Sequence, residues 1–214
     1  MSKNLIIKQY EIGPLNNFLY LLGDPATKEM AIVDPAWDVP FLCRQAKEMG
    51  FKITKVFLTH AHPDHVNGLD DIEETIPVYI SRHEAPFLRH GLKNLVDVDE
   101  KGRSQGSPLQ VGSITFEVLH TPGHTPGCQC FLAQGQLITG DTLFIDGCGR
   151  CDLPGGDAKI MYKSLEILMK LPEDTVIWPG HHYGPTPTDT IGHQKQTNPY
   201  LRCDSLQEFL GERM

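Results

Sequence analysis

Lys55-Val56-Phe57-Leu58-Thr59-His60-Ala61-His62-Pro63-Asp64-His65 is the stretch on which the reading of this chain turns. Its opening Lys55-Val56-Phe57-Leu58 is a β-branched and aromatic run of the kind that forms a buried strand, so His60 falls where a strand stops and a loop begins. His60 and His62 are two residues apart, a spacing that in extended chain turns both imidazoles to one side and toward one cation. Pro63 then forces a turn. Asp64 and His65 follow in the first turn of a helix, so they point away from the first pair and can reach a second ion. A single histidine in a strand is commonly a satisfied polar residue, and Asp64-His65 alone could be a helix cap. Four such groups within six residues have little structural use, because imidazoles packed this densely repel once protonated; they predict a metal site.

Three separated turns supply the rest of that site. Phe116-Glu117-Val118-Leu119 reads as a strand running into His120-Thr121-Pro122-Gly123-His124-Thr125-Pro126-Gly127, where two Pro-Gly pairs fix a loop with His124 at its tip. His124 is the expected ligand, and His120, at the strand's end, is expected to pack or to support one. Gln136-Leu137-Ile138-Thr139 is a strand that stops at Gly140-Asp141, where a carboxylate can bridge two cations. Thr175-Val176-Ile177-Trp178 ends in Pro179-Gly180-His181-His182-Tyr183-Gly184, with His181 as the closing ligand and His182 expected to face solvent.

The chain has 214 residues, 40% of them apolar and 21% charged, values suited to one soluble domain over residues 1–214. No run of about 18 apolar residues is present, and Met1-Ser2-Lys3-Asn4 followed by Leu5-Ile6-Ile7 lacks the apolar core of a signal peptide, so a cytoplasmic protein without membrane partners is expected. A formal charge of −8 without a basic stripe argues against a nucleic-acid partner. Strands are predicted at 3–10, 16–23, 29–33 and 55–59, with more within 109–140. Helices are predicted at 38–49, from about 64 to 75, and from Asp157, the capping residue, to Lys170. Residues 102–108 are expected to be a loop. The six cysteines, including Cys148 and Cys151 as a C-x-x-C, are expected to be reduced thiols, since neither a second C-x-x-C nor a thioredoxin-like setting accompanies the pair. Asp34 in Val33-Asp34-Pro35 is expected to start a turn, with orientation of a ligand as the alternative.

THAHPDH, TPGHT, TGD and PGHHY, in this order over residues 59 to 183, resemble the metallo-β-lactamase superfamily. The resemblance implies an α/β fold, a four-layer αβ/βα sandwich with the site at one edge. It also implies His60, His62 and His124 on a first metal, Asp64, His65 and His181 on a second, and Asp141 between them, with Asp64 and Asp141 as the catalytic carboxylates. Two divalent ions, zinc first with iron or manganese as alternatives, carry four positive charges, which the two carboxylates and a hydroxide reduce to about one, a balance suited to an oxyanion. Within the superfamily, TPGHTPG, TGDTLF, the GCGR segment and Asn198-Pro199-Tyr200-Leu201 resemble glyoxalase II and its short bacterial relatives, which hydrolyse glutathione thioesters such as S-lactoylglutathione. By that likeness Arg150 and Tyr183 bind substrate. Asp152 stands where that family has a second tyrosine, and only 33 residues follow His181, too few for the helical domain that completes the glutathione pocket of the longer enzymes. Persulfide dioxygenases are similar over the same stretches and also carry GCGR followed one residue later by Asp. In that alternative a single iron would be held by His60, His124 and Asp141.

Overall fold

The computed structural model describes residues 4–88, 92–99 and 101–212. Met1 to Lys3, and with them the first residue of the predicted strand at 3–10, lie outside the described residues. β1 (Ile6–Ile12), β2 (Asn17–Asp24) and β3 (Glu29–Val33) form an antiparallel meander. Helix α1 (Val39–Glu48) then crosses back to β4 (Lys52–Phe57), which joins β3 in parallel. After the short helix α2 (Pro63–Val66), β5 (Val78–Ser81) and β6 (Leu95–Val98) extend the sheet in parallel to six strands, in the order β1-β2-β3-β4-β5-β6.

The second sheet is built from β7 (Arg103–Ser104), β8 (Ser107–Val111), β9 (Ile114–His120), β10 (Gln129–Ala133) and β11 (Gln136–Gly140). A small hairpin follows, β12 (Leu143–Phe144) with β13 (Gly147–Cys148), and then helix α3 (Ala158–Leu168). β14 (Val176–Pro179) pairs in parallel with β11, and β15 (Asp189–Thr190) closes the edge, giving the order β15-β14-β11-β10-β9-β8-β7. Helices α4 (Ile191–Thr197) and α5 (Leu206–Glu212) end the described chain.

Side-chain alternation along β2 shows how the layers stack. Every residue of β2 is buried. Phe18, Tyr20 and Leu22 pack between the sheets with Phe57, Phe116 and Phe131, while Leu19 and Leu21 face the other way, onto Val39, Leu42 and Ala46 of α1. A third core joins Leu137 and Ile177 of the second sheet to Met161, Leu165 and Leu168 of α3 and Phe209 of α5. The result is helix, sheet, sheet, helix, the four-layer α/β sandwich. Each fully buried Leu or Phe contributes about 1.5–3 kcal/mol to this stack. No helix among the described residues is long and apolar enough to cross a membrane.

Local details depart from expectation in three places. β1 begins at Ile6 and runs on to Ile12, paired residue for residue with β2. The helix expected over 64–75 stops at Val66 and resumes only as a 3-10 turn at Leu69–Asp71. Gly68 lies between them, its N–H donating to Pro35 O at 3.1 Å, and a Cβ there would come within 2.6 Å of Val39. Docking against the Pro35 loop thus outweighs helix propensity, which is poor at glycine in any case. Residues 102–108 are a hairpin instead of a loop, because Gln105 and Gly106 both adopt positive φ (50° and 81°), the geometry of a two-residue turn between β7 and β8.

Candidate metal centre

Four chain segments meet at one edge of the sandwich. Phe18 N–H donates to Gly180 O at 2.8 Å, and Gly180 N–H donates to Gly140 O at 2.9 Å. Gln129 N–H and its side-chain amide donate to Thr59 O and Leu58 O at 3.0 and 2.8 Å. These bonds stitch the two sheets together where β4, β9, β11 and β14 run out, so the turns bearing the candidate ligands face one another.

All seven residues expected at the site converge there. Among the described residues, the ligand atoms of His60, His62 and His124 lie within 4.8 Å of one another, as do those of Asp64, His65 and His181. His62 Nδ1 is 3.1 Å from His60 Nε2 and 2.9 Å from His124 Nε2. His65 Nε2 is 3.2 Å from His181 Nε2. Asp141 lies between the two sets: Oδ1 is 3.3 Å from His65 Nε2, and Oδ2 is 3.4 Å from both His124 Nε2 and His181 Nε2.

The far nitrogens of four rings show which tautomer the network favours. Thr59 Oγ1 spends its proton on Asp34 Oδ2 at 2.7 Å, so it accepts from His60 Nδ1 at 3.0 Å. His65 Nδ1 donates to Asp34 Oδ2 at 2.9 Å, His124 Nδ1 to Arg150 O at 2.7 Å, and His181 Nδ1 to Leu15 O at 2.9 Å. Each ring therefore presents Nε2 inward, oriented by an outward bond of the kind that accompanies metal-binding histidines. Asp64 is held by Asn17, whose Nδ2 donates to Asp64 Oδ2 at 2.9 Å and to its backbone oxygen at 3.1 Å.

Protonation in the site follows from burial and charge. Burial, then the neighbouring His65, holds His60 well below the usual imidazole value; burial and His124 push His62 down to about 4. Burial opposes charge on His65 too, but Asp141 and Asp34 outweigh it and raise its pKa well above the ordinary value. His181 is raised, against burial, chiefly by Asp141. Burial alone would raise Asp141, yet His65, His181 and His60 hold it well below the carboxylate range. Asp141 Oδ1 is buried without a hydrogen-bond partner. An orphaned carboxylate oxygen among five inward-facing imidazole nitrogens is poorly satisfied by protons alone and fits divalent cations, which would take the place of the inward protons of His65 and His181.

Asp34 corrects the sequence reading. Instead of merely starting a turn, it is buried, adopts φ 52°, and accepts from Thr59 N at 2.7 Å, Thr59 Oγ1 and His65 Nδ1. Although Asp34 forms a third close group with His60 and His65, its oxygens are already engaged, so it orients rather than ligates. Asn17 has no signal in the sequence, because nothing in its local sequence marks it. Gly149 was legible only as part of GCGR: a Cβ there would fall 1.8 Å from the Asp141 carbonyl oxygen. His120 packs as expected, stacked 5.5 Å from His83 with Nε2 donating to Pro126 O at 3.1 Å. His182 is partly covered by Phe18, at 5.0 Å between rings, and meets Glu11 Oε2 at 2.8 Å.

The two expected substrate-binding residues lie at the rim. Tyr183 is 56% exposed and stacks on His181, rings 4.6 Å apart and 9° from parallel. Arg150 makes a two-pronged bond to Asp152, at 2.7 and 2.6 Å, and both side chains are exposed. All six cysteines are thiols.

A family model described as the metallo-beta-lactamase superfamily matches residues 12–181. The probable polyketide biosynthesis zinc-dependent hydrolase PksB of Bacillus subtilis is 30% identical over 211 residues, covering 94% of this chain and 92% of that protein. Hydroxyacylglutathione hydrolase of Synechococcus is 34% identical over 238 residues, covering 92% and 89%. The crystal structure of ETHE1 from Myxococcus xanthus superposes with a TM-score of 0.85 at 31% identity, covering 97% of this chain and 89% of that one; human ETHE1, named a persulfide dioxygenase, is 32% identical over 203 residues, covering 91% and 76%.

Proposed function

The chain belongs to the metallo-beta-lactamase superfamily, and from that membership we propose that it is a metal-dependent hydrolase of a thioester, of the hydroxyacylglutathione type. The observation that carries this reading is Asp141, whose two oxygens face histidines of both clusters. A three-nitrogen set and a mixed nitrogen-carboxylate set joined by one carboxylate suit a pair of zinc, iron or manganese ions. His60, His62 and His124 would hold the first ion, Asp64, His65 and His181 the second, and Asp141 both. Divalent cations there supply Lewis acidity that polarises an acyl carbonyl and lowers the pKa of water toward about 7.

The chain's own residues do the rest. Asn17 fixes the Asp64 carboxylate toward the reacting centre, with its second side-chain atom engaged by the Trp37 indole at 3.0 Å. Tyr183 keeps an exposed ring over His181 and can cover a bound acyl group. Asp152 occupies two nitrogens of Arg150, leaving one guanidinium nitrogen outside that pair for the carrier's carboxylate. Arg150→Ala is expected to raise KM for a glutathione thioester by about 10–150-fold, an order of magnitude set by losing one charge-assisted bond of about 1.5–3 kcal/mol, with kcat little changed. An unchanged KM would remove glutathione as the carrier.

Likeness to ETHE1 supports a second reading, a mononuclear-iron glutathione persulfide dioxygenase using His60, His124 and Asp141. His65→Ala separates the two. Thioester turnover lost in that variant, with no oxygen uptake on glutathione persulfide in the parent, is the hydrolase result. Iron retained and oxygen consumption largely intact is the dioxygenase result and would displace the proposal.

A further inference from the structure

Glu84 is a buried carboxylate that the chemistry above does not use. It follows β5, is 1% exposed, and spends each oxygen on a different ligand-bearing loop. Ala61 N–H, between His60 and His62, donates to Oε2 at 2.8 Å. Gly127 N–H, three residues beyond His124, donates to Oε1 at 2.7 Å. The approach is so close that a Cβ on Gly127 would sit 2.6 Å from Glu84 Cγ. The second cluster is supported without Glu84, with His65 on Asp34, Asp64 on Asn17 and His181 on Leu15 O.

We propose that Glu84 is the positioning residue of the first metal position, a clamp that holds the His60-His62 loop and the His124 loop at ligating distance while the second position stands without it. The inference rests on the metal reading of the site. Its physical basis is that charge-assisted bonds to backbone N–H groups are about twice as strong as neutral ones, and that Gln cannot replace Glu here. One end of the amide would accept from one loop, while its NH2 would face the other loop's N–H and leave that donor unpaired. Glu84 therefore supports the first position alone, whereas Asp34 reaches both, through Thr59 to His60 and directly to His65.

The test titrates metal-free wild type, Glu84→Gln and Asp24→Asn with zinc against a chromophoric chelator, and measures hydrogen exchange of the metal-free proteins over residues 59–63 and 124–128. Asp24→Asn is the control for lost stability, because it removes a buried carboxylate clamp at the opposite end of β2, about 23 Å from Asn17. In Glu84→Gln one zinc constant should weaken by about 10–100-fold and the other by less than about threefold, with faster exchange in both segments. Asp24→Asn should move neither zinc constant and neither segment. Equal weakening of both constants in Glu84→Gln, or of neither, would overturn the clamp. A wild type that takes up no zinc would refute the two-metal reading instead, and the exchange data would then decide: faster exchange in both segments sustains the clamp, and unchanged exchange ends it.

Discussion

Replacing Asp141 by alanine removes the side chain that, among the described residues, faces His65, His124 and His181 together, so two cations would lose the carboxylate that offsets their repulsion. Turnover should vanish and metal content should fall from about two per chain toward one or fewer, measured by elemental analysis; retained turnover would remove Asp141 from the mechanism. Asp34 is the more demanding case. Asp34→Ala leaves Thr59 N, Thr59 Oγ1 and His65 Nδ1 without their acceptor, which should cost about 2–5 kcal/mol in urea unfolding. A change below about 1 kcal/mol would show that water or another group replaces it. These two aspartates mark what a sequence can carry. His60, His62, Asp64 and His65 announce themselves by density, and His124, Asp141 and His181 by Pro-Gly or Gly punctuation after a strand. Asp34 and Asn17 act through contacts 25 and 47 residues away in sequence, so no local pattern distinguishes them from ordinary turn residues.

Elements were legible where one periodicity dominates. The α3 pattern, with Asp157 accepting from Lys159 N and Ile160 N, is local, and so is the unbroken apolar run Phe18 to Leu22 of β2. The α2 region and the β7–β8 hairpin depart from the sequence expectation because Gly68 is shaped by its packing against Val39, and because Gln105 adopts a left-handed conformation that its residue type does not advertise. Asp24 shows how the sheets are tied away from the site: at the end of β2 it accepts from the Ser113 backbone and hydroxyl at 2.7 and 2.8 Å and from Ala26 N at 2.8 Å. The Ser113 N–H bond, exceeding the opposing effect of burial, holds the Asp24 carboxyl below its ordinary value. Because the folded pKa is depressed, the stabilisation is full above the unfolded value of about 3.9 and is lost as pH falls through the folded one. Urea midpoints between pH 6 and pH 3 should therefore fall more steeply for wild type than for Asp24→Asn, and parallel profiles would contradict the assignment. Gly149→Ala should push the β12–β13 hairpin off Asp141, lowering metal content while the far-UV spectrum is kept.

At the scale of the molecule, the two sheets share an apolar core and are joined by hydrogen bonds at the site's edge, where Phe18 N–H donates to Gly180 O and Gly180 N–H to Gly140 O. Cations bound there stabilise the folded state by mass action. At a thousandfold excess over Kd one site adds about 4 kcal/mol, so chelation should lower Tm by roughly 10 °C per site lost. The four-layer arrangement was visible in the sequence through its motif order, whereas the packing of α4 and α5 against α3 was not, because Ile191, Leu201 and Phe209 are scattered apolar residues whose partners lie in another element. In the proposed hydrolase, one chain holds two cations joined by Asp141 and uses them on a thioester. This is tested most directly by metal content of protein purified without added metal, read beside S-lactoylglutathione hydrolysis and oxygen uptake on glutathione persulfide. About two metals per chain, with thioester turnover and no oxygen uptake, is the result expected of the hydrolase. About one iron per chain with rapid oxygen consumption would contradict it.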